Sequence, residues 1–80
     1  MAVNKKKPHP EVLKFGETIF KLRKERGLSQ MDLGALLGID RENIRKYEKG
    51  LQEPRLRTII KFAEAFQIDF NELLGIKERR

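Results

Sequence analysis

The segment DRENIRKYEK, residues 40–49, holds the side chains of this chain best equipped for chemistry. Arg41, Glu42 and Asn43 open it, and Arg45 and Lys46 follow one helical turn later. An arginine or lysine can donate to O6 and N7 of a guanine, a carboxylate can accept from N4 of a cytosine, and an asparagine can reach a base or a phosphate. That is recognition chemistry, and catalysis has little to work with. The only serine, Ser29, is wanted as a helix cap, and the only histidine, His9, lies near the N-terminus. A nucleophile–base pair from these two would need the N-terminal segment folded against a helix start. Cysteine is absent, so thiolate metal sites and disulfides are excluded, and one histidine leaves mostly surface carboxylates as ligands. No enzymatic activity, cofactor or metal is expected.

Periodicity indicates the elements that must carry these side chains. Pro10 and Glu11 suit a first helical turn, and Val12, Phe15, Ile19 and Leu22 recur at spacings of three and four, with Leu13 and Phe20 widening the stripe. Gly27 is placed to stop this helix in a left-handed conformation. Ser29 and Asp32 form a capping-box pattern for a second helix whose apolar set is Leu33, Leu36 and Leu37. Asp40 can cap a third helix, over about 40–49, with Ile44 and Tyr47 inward and Gly50 at its end. Residues 51–54, LQEP, form a loop, since Pro54 disfavours continued helix at Glu53. Leu56, Ile59, Ile60, Ala63 and Phe66 predict a fourth helix, and Asp69 with Glu72 a capping box for a short fifth. No stretch alternates with period two for long enough to predict a strand. The expected fold class is all-α, a compact five-helix domain over 10–76, with a basic, flexible arm over 1–9 and a charged tail over 77–80.

The 80 residues suit one domain with one modest core, and no second, ligand-sensing domain is expected. No small-molecule effector is therefore expected. No apolar run approaches the roughly 18 residues of a membrane span, and the first ten residues do not form a secretory signal. A cytoplasmic protein without a membrane partner is expected. Lys plus Arg number 18 against 12 Asp plus Glu, a net charge of +6 that favours a polyanionic partner. Lys5, Lys6 and Lys7 either solubilise a tail or run along a phosphate backbone.

The second and third helices are joined with almost nothing between them. A helix-turn-helix needs a small residue where its helices cross and a turn residue tolerant of positive φ. Gly34 and Gly38 supply both, and Leu33, Leu37, Ile39, Ile44 and Tyr47 fall on the inner faces. An ordinary helical hairpin would share each feature singly, but the combination predicts a DNA-binding helix-turn-helix.

The motifs RGLSQ, LLGI, YEKG and IDFNELLG, within residues 15 to about 75, resemble the Cro/repressor type of helix-turn-helix DNA-binding domain. The resemblance implies a five-helix transcriptional regulator, a repressor in the first instance, that binds double-stranded DNA as a homodimer. It implies that Arg41, Glu42 and Lys46 meet base edges in the major groove, with Arg45 near enough to contribute. Gln30 matches a glutamine that touches a phosphate and braces the recognition helix. Asn43, Lys49 and Arg55 join it among backbone-contacting or bracing residues. Arg23 and Glu48 match an ion pair that ties the first helix to the end of the third; such a pair adds little net stability if partly exposed. Two departures stand out. Alanine is usual at Gly34, so the second helix is expected to be looser here, and serine is frequent at Arg55, where arginine cannot cap. The alternative on the same fold is an antitoxin-like or adaptor protein whose main partner is another protein. The apolar segment of Phe66, Ile68, Phe70, Leu73, Leu74 and Ile76 either closes the core or forms a self-association surface with two-fold symmetry.

Overall fold

A computed structural model describes residues 8–76; the lysine-rich arm and the charged tail lie outside them. Five helices follow one another: α1 (Pro10–Glu25), α2 (Gln30–Leu37), α3 (Arg41–Glu48), α4 (Leu56–Phe66) and α5 (Phe70–Leu74). Among the described residues there is no strand. Pro10 opens α1 as expected, and Gly27, Gly38 and Gly50 take positive φ where the first three helices stop. Ser29 and Asp32 form the reciprocal capping box: Asp32 N–H donates to Ser29 Oγ and Ser29 N–H to Asp32 Oδ2, each at 2.9 Å. The Ser29 N–H, and then its hydroxyl, hold the Asp32 carboxyl below its ordinary range. That contribution is present at neutral pH and is lost as pH falls through the depressed value.

Three aromatic rings form the centre of the core, one each from α1, α3 and α4. Phe15, Tyr47 and Phe62 meet edge to face in all three pairings, with centroids 5.3–6.2 Å apart. Ile19, Leu33, Ile44, Phe66 and Leu73 close around them. Phe62 is fully buried and was absent from the expected α4 stripe. At about 100° per residue, a face centred on Phe62 and Phe66 turns Leu56 and Ile60 away. Both are exposed, contrary to the periodicity reading. Leu36 is likewise exposed, at 67%. Gly34 must face the turn that follows α2, and this fixes the inner face on Leu33, Gly34 and Leu37. Leu13 is half out because it lies over Gly50, and Phe20 because it lies under the Arg23 guanidinium, 5.3 Å from the ring centroid.

Two glycines permit backbone contact. A Cβ on Gly34 would strike the carbonyl oxygen of Ile39. The glycine here is therefore a fit to a tight turn, and the looser α2 expected from it is not what the packing shows. Gly16, not singled out from the sequence, does the same for α1 against α3: a Cβ there would strike the Tyr47 carbonyl oxygen and lie 2.8 Å from that of Glu48.

Two expected caps are absent. Asp40 and Asp69 stand at the N-caps of α3 and α5, yet neither side chain accepts a bond. Both residues are exposed, so water can serve the first amides. Arg55 at the N-cap of α4 makes no side-chain cap, as its chemistry requires. Other cations close the helix C-termini. Arg26 Nη2 donates to the Phe66 carbonyl at 3.1 Å with its guanidinium over the Phe66 ring, and Lys61 Nζ donates to the Leu37 carbonyl at 3.2 Å. The C-terminal apolar segment mainly closes the core: Phe66 and Leu73 are buried, while Ile68 and Leu74 pack against them. Ile76 is exposed.

Two substitutions test these contacts by thermal unfolding. Gly16→Ala gains roughly 1 kcal/mol of helix propensity but overpacks unyielding backbone, a cost of about 1–3 kcal/mol; the melting temperature should fall. Gln67, at φ 58°, is the one non-glycine with positive φ among the described residues. The left-handed conformation costs it about 1–2 kcal/mol, against about 0.5–1 kcal/mol of extra chain entropy for glycine. Gln67→Gly should raise the melting temperature.

Candidate nucleic-acid interface

The turn between α2 and α3 is short. Gly38 caps α2 at φ 68°, and Ile39 N–H donates to the Gly34 carbonyl at 2.9 Å. α3 then buries Ile44 and Tyr47. At about 100° per residue, Glu42, Lys46 and Lys49 lie opposite that buried face, with Arg45 beside them. Arg41 and Glu42 are exposed in the first turn, Asn43 is half-buried on a flank, and Arg45 and Lys46 are half-exposed. Lys49 is exposed directly after the helix, and Arg55 is exposed across the loop that follows. The structure thus places Arg41, Glu42, Arg45 and Lys46 on one helix, with Lys49 directly after it, Asn43 at its edge and Arg55 apart from it.

The far end of α3 is anchored in the protein. Arg23 Nε donates to Glu48 Oε2 at 2.7 Å and Nη2 to Oε1 at 3.1 Å, a bidentate pair between α1 and α3. The remaining arginine nitrogen, Nη1, donates to the Leu28 carbonyl at 2.8 Å, and Gln30 Nε2 donates to Glu48 Oε1 at 3.0 Å. The two charged side chains are only 8% and 3% exposed. The pair therefore does not behave as a weak surface bridge, and its partners cannot be removed singly without leaving a buried charge. One amide N–H of Gln30 is engaged with Glu48, and among the described residues the other makes no hydrogen bond. The Leu28 carbonyl is a backbone acceptor and so has no residue-type signature in the sequence.

At the exposed end, Arg45 and Glu42 pair with each other. Arg45 Nη2 donates to Glu42 Oε2 at 2.6 Å, and Nε lies 3.1 Å from both carboxylate oxygens. The hydrogen bond from Arg45 holds the Glu42 carboxyl below its ordinary range, and Glu42 raises Arg45 in turn. From residue type alone these two are separate contacts; their spacing of three residues is the sequence sign of pairing.

Replacing one member of the buried pair should cost far more than replacing both. Arg23→Met leaves the Glu48 carboxylate with Gln30 as its remaining side-chain donor and should destabilise by about 3–5 kcal/mol. Arg23→Met with Glu48→Met should recover much of that loss. Denaturant unfolding of the two variants and the wild type checks the ordering.

Residues 19–73 match the family model described as HTH_3, helix-turn-helix. A prophage-derived HTH-type transcriptional regulator of Bacillus subtilis, YonR, is 38% identical over 75% of this chain and 56% of its own. The Vibrio cholerae phage repressor RstR is 34% identical over 80% of this chain and 58% of its own. This chain thus spans little more than half the length of those curated relatives. Among solved structures, the restriction-modification controller protein C.AhdI of Aeromonas hydrophila superposes with a TM-score of 0.72. It is 37% identical, over 81% of this chain and 98% of its own. The P22 c2 repressor, crystallised with a synthetic operator, also gives 0.72, at 27% identity over 79% of this chain and 96% of its own. The chain belongs to the HTH_3 helix-turn-helix family, the family of Cro/C1-type repressors.

Proposed function

We propose that this protein is a cytoplasmic, sequence-specific double-stranded DNA-binding regulator of transcription, a repressor, that reads the major groove with α3. One observation carries the reading: α3 buries Ile44 and Tyr47 and projects Arg41, Glu42, Arg45 and Lys46 from a helix locked to the body at Glu48. An α-helix fits the major groove, where each base pair presents a distinct donor and acceptor pattern. The named functions of the relatives and the operator complex of the P22 c2 repressor support the same conclusion. Arg41, Arg45 and Lys46 meet bases in this reading, with Glu42 beside them on the groove-facing surface. Gln30, Asn43, Lys49 and Arg55 meet the backbone or brace, and the Arg23–Glu48 pair sets the pitch of α3. The protein works by binding, without catalysis.

The protein acts as a homodimer. Leu56 and Ile60 on α4 and Ile76 after α5 leave apolar surface exposed, and two-fold pairing would present two α3 helices to half-sites about 10 bp apart.

Selection from a random DNA pool, followed by titration at fixed salt, tests the function. The recovered sites should be palindromic, with half-sites about one turn apart. Arg41→Ala should lower the ratio of operator to random-DNA affinity by about 5- to 150-fold, the worth of one good base contact. Lys49→Ala should weaken both DNAs alike and reduce the salt slope by about 0.9. Affinity independent of salt and sequence would overturn the function.

A further inference from the structure

Glu42 is an unexpected residue on the outward face of α3. It is a carboxylate among Arg41, Arg45, Lys46 and Lys49, on a surface assigned to a polyanion. Its pairing with Arg45 supplies a reason. The side chains are 53% and 38% exposed, so the pair adds little to folding stability. Its effect is on geometry. Glu42 takes the side edge of the guanidinium, formed by Nε and one N–H of Nη2. Among the described residues, the other N–H of Nη2 and the two of Nη1 make no hydrogen bond. Together Nη1 and Nη2 form an end-on fork of two parallel donors, the arrangement that matches guanine O6 and N7.

We propose that Glu42 is a positioning residue, which holds the Arg45 guanidinium with its end-on fork free for a guanine and does not itself read a base. This rests on the reading of α3 as the groove-entering helix. The carboxylate already receives three close contacts from two N–H groups of Arg45, so a cytosine amino group would have to share it with a charge-matched partner. The pairing also holds back a long, flexible cation that phosphates would otherwise attract, and it neutralises the acid at the DNA surface. Glu42 therefore exchanges sequence-independent attraction for guanine preference. Lys46, one turn from Glu42, remains a separate donor.

The test uses the full chain in four forms: wild type, Glu42→Ala, Arg45→Ala and the double variant. Each is put through selection from a random DNA pool and competition titration at one salt concentration, with helical circular dichroism to confirm folding. Arg45→Ala should remove a guanine preference at one position of the site, by about 5- to 150-fold. Glu42→Ala should reduce the same preference at the same position at least fivefold and bind random DNA more tightly than the wild type. The double variant should be no less selective than Arg45→Ala. Loss of a cytosine preference at another position on Glu42→Ala would make Glu42 a reader and overturn the proposal. So would a guanine preference unchanged in Glu42→Ala, or no guanine preference traceable to Arg45. Arg41→Ala and Lys46→Ala separate the levels. If they lower the operator-to-random ratio while Glu42→Ala is silent, the positioning role alone fails. If they leave it unchanged as well, the reading of α3 fails, and the positioning role with it.

Discussion

The buried carboxylate of Glu48 is the constraint on which the rest of the structure depends. It lies at the end of α3 and is held by Arg23 from α1 and Gln30 from α2. Arg23 also reaches the Leu28 carbonyl in the link between those helices. One acid thus fixes three helices and a connection relative to one another. A purely apolar joint could be as stable, since desolvating two charges offsets much of their attraction. It would tolerate sliding, whereas a bidentate pair does not. That angular definition matters because a small rotation of α3 would redirect every side chain along it.

The close approach of helices is the second half of the same design. Gly16 and Gly34 remove side chains where α1 meets the last turn of α3 and where α2 meets the turn before it. The aromatic triad then fills the space behind α3, so the helix is fixed at both ends and supported from beneath. Arg26 and Lys61 close carbonyl ends elsewhere, which lets helices of eight and eleven residues end cleanly without a longer chain.

Much of this was legible in the sequence. The five helices, the Ser29–Asp32 box, the Gly34–Gly38 junction and the exposed start of α3 all follow from short-range rules that act within a few residues. What was not legible depends on which side of a helix tertiary packing selects. Leu36 and Ile60 satisfy the helical period as well as their buried neighbours do. Only the demand of Gly34 for its turn, and of Phe62 for its aromatic partners, decides which way each helix faces. Asp40 and Asp69 have the right type for caps, yet neither side chain accepts a bond, because residue type alone does not fix the rotamer. At the interface, residue types were legible and their coupling was not: Glu42 and Arg45 each looked like a contact of its own, and their hydrogen bonds make them one unit.

The burial of Tyr47 gives the protein an internal optical reporter. The chain contains one tyrosine and no tryptophan. That tyrosine belongs to α3, is 6% exposed, and packs its ring against Phe15 and Phe62. Near-ultraviolet dichroism from a tyrosine depends on fixed packing and vanishes when packing loosens even if helices persist. The tyrosine signal of the unlabelled protein therefore follows the seating of α3 on the core, while far-ultraviolet dichroism follows helix content as a whole. A separation between the two on heating or acidification would show that α3 had lifted from the body before the domain unfolded.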